Sequence, residues 1–353
     1  MDAIFKPRSI AVIGASDSIG KWGYRMVYRL LNSGFEGPIY PINPAKSEIL
    51  GLSAYPGVAA VPGPVDLAVI TTPAATVPDI LSQCIEAGIK GAVVITAGFA
   101  EVGAAGGALE RKVLETAASG GLRFVGPNCM GIWSTAANLN LSFAQPPGKG
   151  PIAFVSQSGT FGVSMAQEAT LRGYGLSKFI SIGNQADLEV ADYLDYLAED
   201  ADTRVIALYM EGLKNGERFF NAARQAAAKK PVVVYKAGRS GAAERAAMSH
   251  TASVAGSAVV FDNICRQLGL LQVREAFQLF ETAQALAGLP PAPGSRVAIL
   301  GSGGQGVVGT DACAALGMEL PELDPETSAA ISALLPEHAP PATNPVDFAG
   351  SSR

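Results

Sequence analysis

The chain has little of what reactive or specialised sites are usually built from. Its 353 residues include two histidines, four cysteines and two tryptophans, and charged residues make up only 16%. The cysteines, Cys84, Cys129, Cys265 and Cys313, lie far apart and form no CxxC pair. That argues against a disulfide framework and a zinc site and points to a reducing compartment, the cytoplasm. No run of Lys or Arg stands against the net charge of −5, so the electrostatic footprint of a nucleic-acid binder is missing. Nothing approaches the 18 or so consecutive apolar residues of a membrane span. The strand-like run Ile10-Ala11-Val12-Ile13 begins almost at once, without the charged lead and apolar core of a signal peptide.

What the chain does have is hydrophobic residues, at 48%, and 40 glycines, many of them just after apolar runs. Short β-like runs alternate with longer helical stretches from one end to the other, which predicts doubly wound, parallel α/β sheets. The first series runs through Ile10–Ile13, Pro38–Pro41, Leu67–Thr71, Ala92–Ile95 and Arg123–Val125. Leu139–Gly150 reads as a connector. A second series follows: Ile152–Val155, Lys178–Ile182, Val205–Tyr209 and Val232–Tyr235. After the Pro-rich break at 289–294, a third series shows one strand, Val297–Leu300, and one helix, Val307–Leu316. The expected domains are therefore 1–145, 151–288 and a partial third over 295–353. The last is short for an α/β domain, so the chain reads as a fragment or one subunit of a larger assembly.

Several turns carry chemistry. Ser249–Gly256 places His250 in a loop of small residues just ahead of a helix-like run. A helix N-terminus offers free N–H donors and partial positive charge, and a neutral imidazole nitrogen can attack a phosphoryl group. A surface-loop histidine is the other reading. Gly14-Ala15-Ser16 follows the first strand, and Gly20-Lys21 opens the next helix. Their spacing departs from GxGxxG, which disfavours a dinucleotide site but suits phosphate binding as well as plain packing. The loops with Thr72-Pro73, Thr96 and Asn128-Cys129 each follow a strand of the first series and should line one crevice. Cys129 has no base near it in sequence and reads as a pocket-lining residue rather than a nucleophile. Ser156-Gln157-Ser158-Gly159-Thr160 forms a second anion-binding turn at a helix start; the GxSxG elbow is absent, so Ser158 is not a hydrolase nucleophile. Glu211 ends a strand and reads either as a partner for a histidine or as an exposed loop acid. Gly301–Gly306 does match GxGxxG, but alone the pattern is weak, and the surrounding domain looks too short for a dinucleotide site. His338 reads as a solvated loop residue.

Taken together, these stretches resemble the NDP-forming acyl-CoA synthetase family, related to succinyl-CoA synthetase, in its α-subunit portion. The resemblance is carried by Phe5–Ser16, Tyr40–Pro44 with Asn43, Thr96–Phe99 with Glu101, Gly126–Asn128, Ser156–Gly159, Gly183-Asn184, Glu211-Gly212, the Ser249–Gly256 loop and Asn344–Asp347. It implies a Rossmann-like CoA-binding domain, a flavodoxin-like domain with the histidine loop, and the start of a third α/β domain. It also implies acid + CoA + ATP giving acyl-CoA, ADP and phosphate, through acyl phosphate and phospho-His250 stabilised by Glu211.

By the same resemblance CoA is bound by Gly14, Ser16, Gly20, Lys21, Asn43, Thr72, Pro73, Thr96 and Asn128. Phosphate is bound by Ser156, Ser158, Gly159 and Thr160. No metal site is expected on this chain. ATP or ADP and Mg²⁺ would be bound by an ATP-grasp portion, either a β subunit or a missing C-terminal half, with a small carboxylic acid as substrate and an oligomer as the expected state. Two other readings compete: a non-catalytic acyl-CoA sensor of the kind fused to protein acetyltransferases, and an NAD-dependent oxidoreductase.

Overall fold

The computed structural model describes residues 1–142, 145, 148–239 and 258–350. These fall into two compact units, Met1–Leu289 and Pro290–Arg353.

The first unit opens with α1 (Asp2–Phe5), β1 (Ile10–Ile13), α2 (Trp22–Asn32) and β2 (Ile39–Ile42). A small hairpin of β3 (Glu48–Ile49) and β4 (Leu52–Ser53) comes next. The series then continues through β5 (Leu67–Ile70), α3 (Val77–Glu86), β6 (Gly91–Val94), α4 (Ala104–Ser119) and β7 (Arg123–Val125). The long strands form a parallel sheet in the order β2-β1-β5-β6-β7. Alternate residues of β1 serve opposite faces: Ile10 and Val12 pack with Met26 and Leu30 of α2, while Ala11 and Ile13 pack with Val77, Leu81 and Val113 of α3 and α4. Both faces are thus covered, which is why β1, β5 and β6 are apolar at every position rather than alternating.

The second sheet is built from β8 (Ile132–Ser134), β9 (Leu139–Leu141), β10 (Lys149–Ser156), α5 (Gly159–Leu171), β11 (Leu176–Ser181), α6 (Val190–Glu199), β12 (Val205–Met210), α7 (Gly216–Ala227), β13 (Val232–Lys236), α8 (Ala258–Leu268), β14 (Leu271–Val273) and α9 (Gln278–Gly288). Its order is β14-β13-β12-β10-β11-β8-β9, with only β8 and β9 antiparallel to their neighbours. Here the structure corrects the connector expected over Leu139–Gly150. Leu139–Leu141 is a strand, and Lys149-Gly150 already belong to β10. The edge forms because Trp133 is fully buried against Phe179 on one face, with ring centroids 4.8 Å apart, while Leu139 and Leu141 are buried with Ile132 on the other.

Both sheets share one winding scheme. Counting only the parallel strands, each runs 2-1-3-4-5, so the order reverses between β1 and β5 in the first and between β10 and β12 in the second. Loops leaving the carboxyl ends of strands at such a reversal leave a crevice for ligands. A single cluster of buried residues runs from Val12 and Val93 of the first sheet to Val155 and Leu208 of the second. Phe5 of α1 also stacks on Tyr196 of α6, centroids 5.0 Å apart. This shared core fixes the two reversal points within one unit.

In the second unit β15 (Leu300–Gly301) pairs in parallel with β16 (Val346–Asp347), beside α10 (Gly304–Ala315) and α11 (Pro325–Ser332). Among the described residues no helix is long and apolar enough to cross a membrane.

Candidate functional site

The first glycine turn is shaped by close approach. Gly14 has φ +86°, and a Cβ there would lie 2.8 Å from the Thr71 hydroxyl oxygen, so the loop after β5 can close directly over the loop after β1. Thr71 Oγ1 seals the crossing by donating to the Ile13 carbonyl at 3.0 Å. Asn43 Nδ2 donates to the Ala15 carbonyl at 2.8 Å, and the Ser16 hydroxyl accepts from the Ser18 amide at 3.1 Å. Gly20 and Lys21 lie on the exposed approach to α2, with Lys21 as its N-cap residue. Nearby, Lys46 pairs with Asp17 at 3.1 Å and holds that carboxyl below its usual range.

At the other reversal point, α5 begins at Gly159, with Ser158 as an N-cap residue that makes no capping hydrogen bond. The first intrahelical bond runs from the Gly162 amide to the Ser158 carbonyl, so the amides of Gly159, Thr160 and Phe161 precede it. That end of the helix can receive an anion, with hydroxyls at Ser158 and Thr160 beside it. Ser156 lies beneath the turn: it is fully buried and donates its hydroxyl to the Ser158 carbonyl at 2.7 Å. Its part is to support the turn rather than to face a ligand.

A cavity of about 950 Å³ runs from the loop after β5, which closes over the first glycine turn, to the start of α5. It is lined from the carboxyl ends of both sheets: Thr72 and Pro73 after β5, Thr96 after β6, Asn128 after β7, Ser158–Thr160 after β10 and Glu211 after β12. Gly14, Ser16, Gly20, Lys21, Asn43 and Ser156 are outside this lining. His250 lies outside the described residues.

Three features of the cavity escaped the sequence reading. Gln157 locks the loop after β12: its side-chain oxygen accepts from the Glu211 and Gly212 amides, and its Nε2 donates to the Gly212 carbonyl at 2.7 Å. Lys236, buried beside it, donates to the Glu211 carbonyl at 2.8 Å. Glu211 itself is only 8% exposed and hydrogen-bonds the Tyr209 hydroxyl. Burial, reinforced by the Glu211 and Tyr235 charges, pushes that tyrosine well up.

The second feature is a pair of acids sharing one amide. Asn184 Nδ2 donates to Glu101 at 2.6 Å and to Glu110 at 2.7 Å, while Asn184 Oδ1 accepts from Asn128 at 3.2 Å. Burial raises the Glu101 carboxyl, but Asn184 and the Gly98 and Phe99 amides outweigh it, and the net shift is downward. The third is Lys214, which lines the cavity and donates to the Gln185 carbonyl at 2.9 Å. Cys129 also lines the cavity, but burial pushes its thiol up to about 12, so it is no nucleophile. In the second unit, the turn at Gly301–Gly306 is met by the chain itself: the Gly303 amide donates to Asp347 at 2.9 Å.

Residues 8–135 match the CoA binding domain and residues 149–286 the succinyl-CoA ligase like flavodoxin domain. Over its whole length the chain is 42% identical to the acetate–CoA ligase [ADP-forming] II subunit alpha of Pyrococcus furiosus, covering 77% of that subunit. The chain belongs to the ADP-forming acyl-CoA ligases. To the acetate–CoA ligase [ADP-forming] II of Archaeoglobus fulgidus this ligase chain is also 42% identical, over 98% of its own length and 52% of the relative's. Its fold matches the dinucleotide forming acetyl-coenzyme A synthetase 1 of Ca. Korarchaeum cryptofilum, solved with phosphate and ADP, at a TM-score of 0.92 and 39% identity. That match covers 99% of this chain and 75% of that one. As a member of this family of acid–thiol ligases, the chain is its CoA-binding portion. The acyl-CoA sensor and the oxidoreductase are not the readings these relatives support. The chain spans about half the length of the single-chain relative and about three quarters of the α subunit.

Proposed function

We propose that this chain carries the CoA exchange and the first phosphoryl transfer of an ADP-forming acyl-CoA ligase. The supporting observation is the single cavity in which loops of the CoA-binding sheet meet the anion-binding start of α5 and Glu211. A phosphate held at Ser158, Gly159 and Thr160 attacks the thioester carbonyl. The C–O bond forms, the C–S bond breaks, and CoA leaves as thiolate and takes a proton. His250 then attacks the phosphorus of the acyl phosphate, and the acid departs as carboxylate. Glu211, fixed by Gln157 and Lys236, orients the imidazole and balances the cation it becomes. Ser158, Thr160 and the helix amides stabilise the transferring phosphoryl group throughout.

On this reading Gly14, Ser16, Gly20, Lys21 and Asn43 hold the phosphates and nucleotide end of CoA, while Thr72, Pro73, Thr96 and Asn128 guide its arm into the cavity. Phospho-His250 passes its group to ADP on an ATP-grasp portion, as β subunit or further chain, within an oligomer. Mg²⁺ belongs there too, with the nucleotide. The acid is a small monocarboxylic one, in keeping with the acetate of the named relatives. The three buried, unpaired cysteines accord with a cytoplasmic setting.

The test is incorporation of radioactive phosphate in the presence of acetyl-CoA, comparing wild type with His250→Ala. Acid-labile, base-stable label that vanishes in the variant is expected. CoA binding without any label in wild type, even with the ATP-grasp portion present, would leave a CoA-binding protein that transfers nothing.

A further inference from the structure

The cavity walls next to the anion-binding turn differ in what they offer an acyl group. Cys129 and Ile95 line it but are almost wholly buried, and the alanines there are short. Met130 is different: it is partly exposed, lines the cavity, and lies on the turn itself. A Cβ built on Gly159 would fall 2.7 Å from Met130 Cγ, so the methionine packs against the glycine that begins α5. Its backbone is pinned there, since the Met130 amide donates to Ser181 Oγ at 2.9 Å.

We propose that Met130 is the specificity-determining residue for the acyl group, the adaptable apolar wall against which the acyl tail of the acyl phosphate lies. The inference rests on the phosphate site at Ser158–Thr160 argued above. An acyl phosphate has its carbonyl carbon one bridging oxygen away from phosphorus. With the phosphoryl group at the start of α5, the tail emerges within a few bonds of Gly159, and Met130 is the apolar side chain packed there, beside the Ser181 hydroxyl. Its unbranched thioether can take several rotamers, so the wall yields to a small range of tails while still closing the pocket to large ones. Gly159 without a side chain is what lets Met130 come this close.

The experiment measures kcat/KM of the reconstituted ligase, with its ATP-grasp portion, for acetyl-CoA and phenylacetyl-CoA with phosphate and ADP. Wild type is compared with Met130→Ala, Met130→Leu and Met130→Phe. Met130→Ala is expected to shift the phenylacetyl-to-acetyl ratio upward by about ten-fold or more, the scale of a change of a methylene or more in an apolar pocket. Met130→Phe is expected to lower it, with Met130→Leu near wild type and KM for phosphate little changed in all three. Active variants whose ratio stays at the wild-type value, or that lose both substrates by the same factor, overturn the assignment of Met130 alone. A wild-type ligase that exchanges phosphate with neither acyl-CoA overturns it together with the proposed function.

Discussion

The side-chain oxygen of Gln157 accepts from two successive amides, and its nitrogen returns a bond to the Gly212 carbonyl, so one residue of the turn after β10 sets the backbone from which Glu211 projects. All of these groups are buried. Replacing Gln157 with Leu leaves two amides and a carbonyl without their partner, at a cost of about 1–3 kcal/mol for each group left unsatisfied, less whatever water recovers. The expected outcome is a urea midpoint clearly below wild type, together with a phosphohistidine that forms more slowly while CoA affinity is kept. A CoA affinity falling in parallel with transfer would mean that Gln157 does no more than hold the fold. Sequence reasoning found Ser158, Thr72, Thr96 and Asn128 because each follows an apolar strand, and strand ends are visible as a change of residue type. It could not find the Glu101–Asn184–Glu110 set as a contact. Asn184 stands 83 and 74 residues from the two acids, and nothing local marks the amide that they share.

Among the elements, β13 and α8 bracket in sequence the segment that contains His250, and an ion pair joins Arg239, three residues past β13, to Asp262 within α8. Arg239 donates to both oxygens of Asp262 at 2.7 and 2.6 Å, with Arg274 a further 3.6 Å contact. The hydrogen bonds from Arg239 outweigh the effect of burial and lower the Asp262 carboxyl from 3.8 to about 2. A folded-state value below the unfolded one stabilises at pH above the unfolded value and loses that contribution as pH falls through the folded one. The pair therefore contributes fully above pH 3.8 and fades toward pH 2. Because both side chains remain partly solvated, its worth is about 1 kcal/mol or less. Asp262→Asn is expected to lower stability slightly near neutral pH and to flatten the acid limb, seen as urea midpoints of variant and wild type converging as pH drops toward 2. Midpoints that keep a constant gap down to that pH would show that the carboxylate charge is not what matters. At this scale the sequence was most readable where strands are apolar at every position, as in β1, β5 and β12. It misled at β9, because three residues, Leu139-Asn140-Leu141, carry too little periodicity to separate an edge strand from a connector. What decides the matter is burial on both faces of the edge: Trp133 packs on Phe179 on one, and Leu139 and Leu141 join Ile132 in the core on the other.

For the molecule as a whole, the decisive arrangement is that two sheets of identical winding turn their reversal points into one cavity. On the proposed function, CoA recognition and phosphate recognition are then parts of a single compact unit, Met1–Leu289, with a continuous core beneath them. By the same proposal, nucleotide and its metal are held by an ATP-grasp portion, so the work should divide cleanly. The chain alone is expected to bind CoA and, given acetyl-CoA and phosphate, to acquire label on His250. It should form no ATP from ADP until an ATP-grasp portion is added. Calorimetric titration of CoA into the chain, followed by a luminescence assay for ATP with and without that portion, checks both halves. ATP produced by the chain alone would place a nucleotide site within these residues. CoA binding that appears only with the added portion would mean the cavity is completed from outside, and the shared core of the two sheets would not be what organises it.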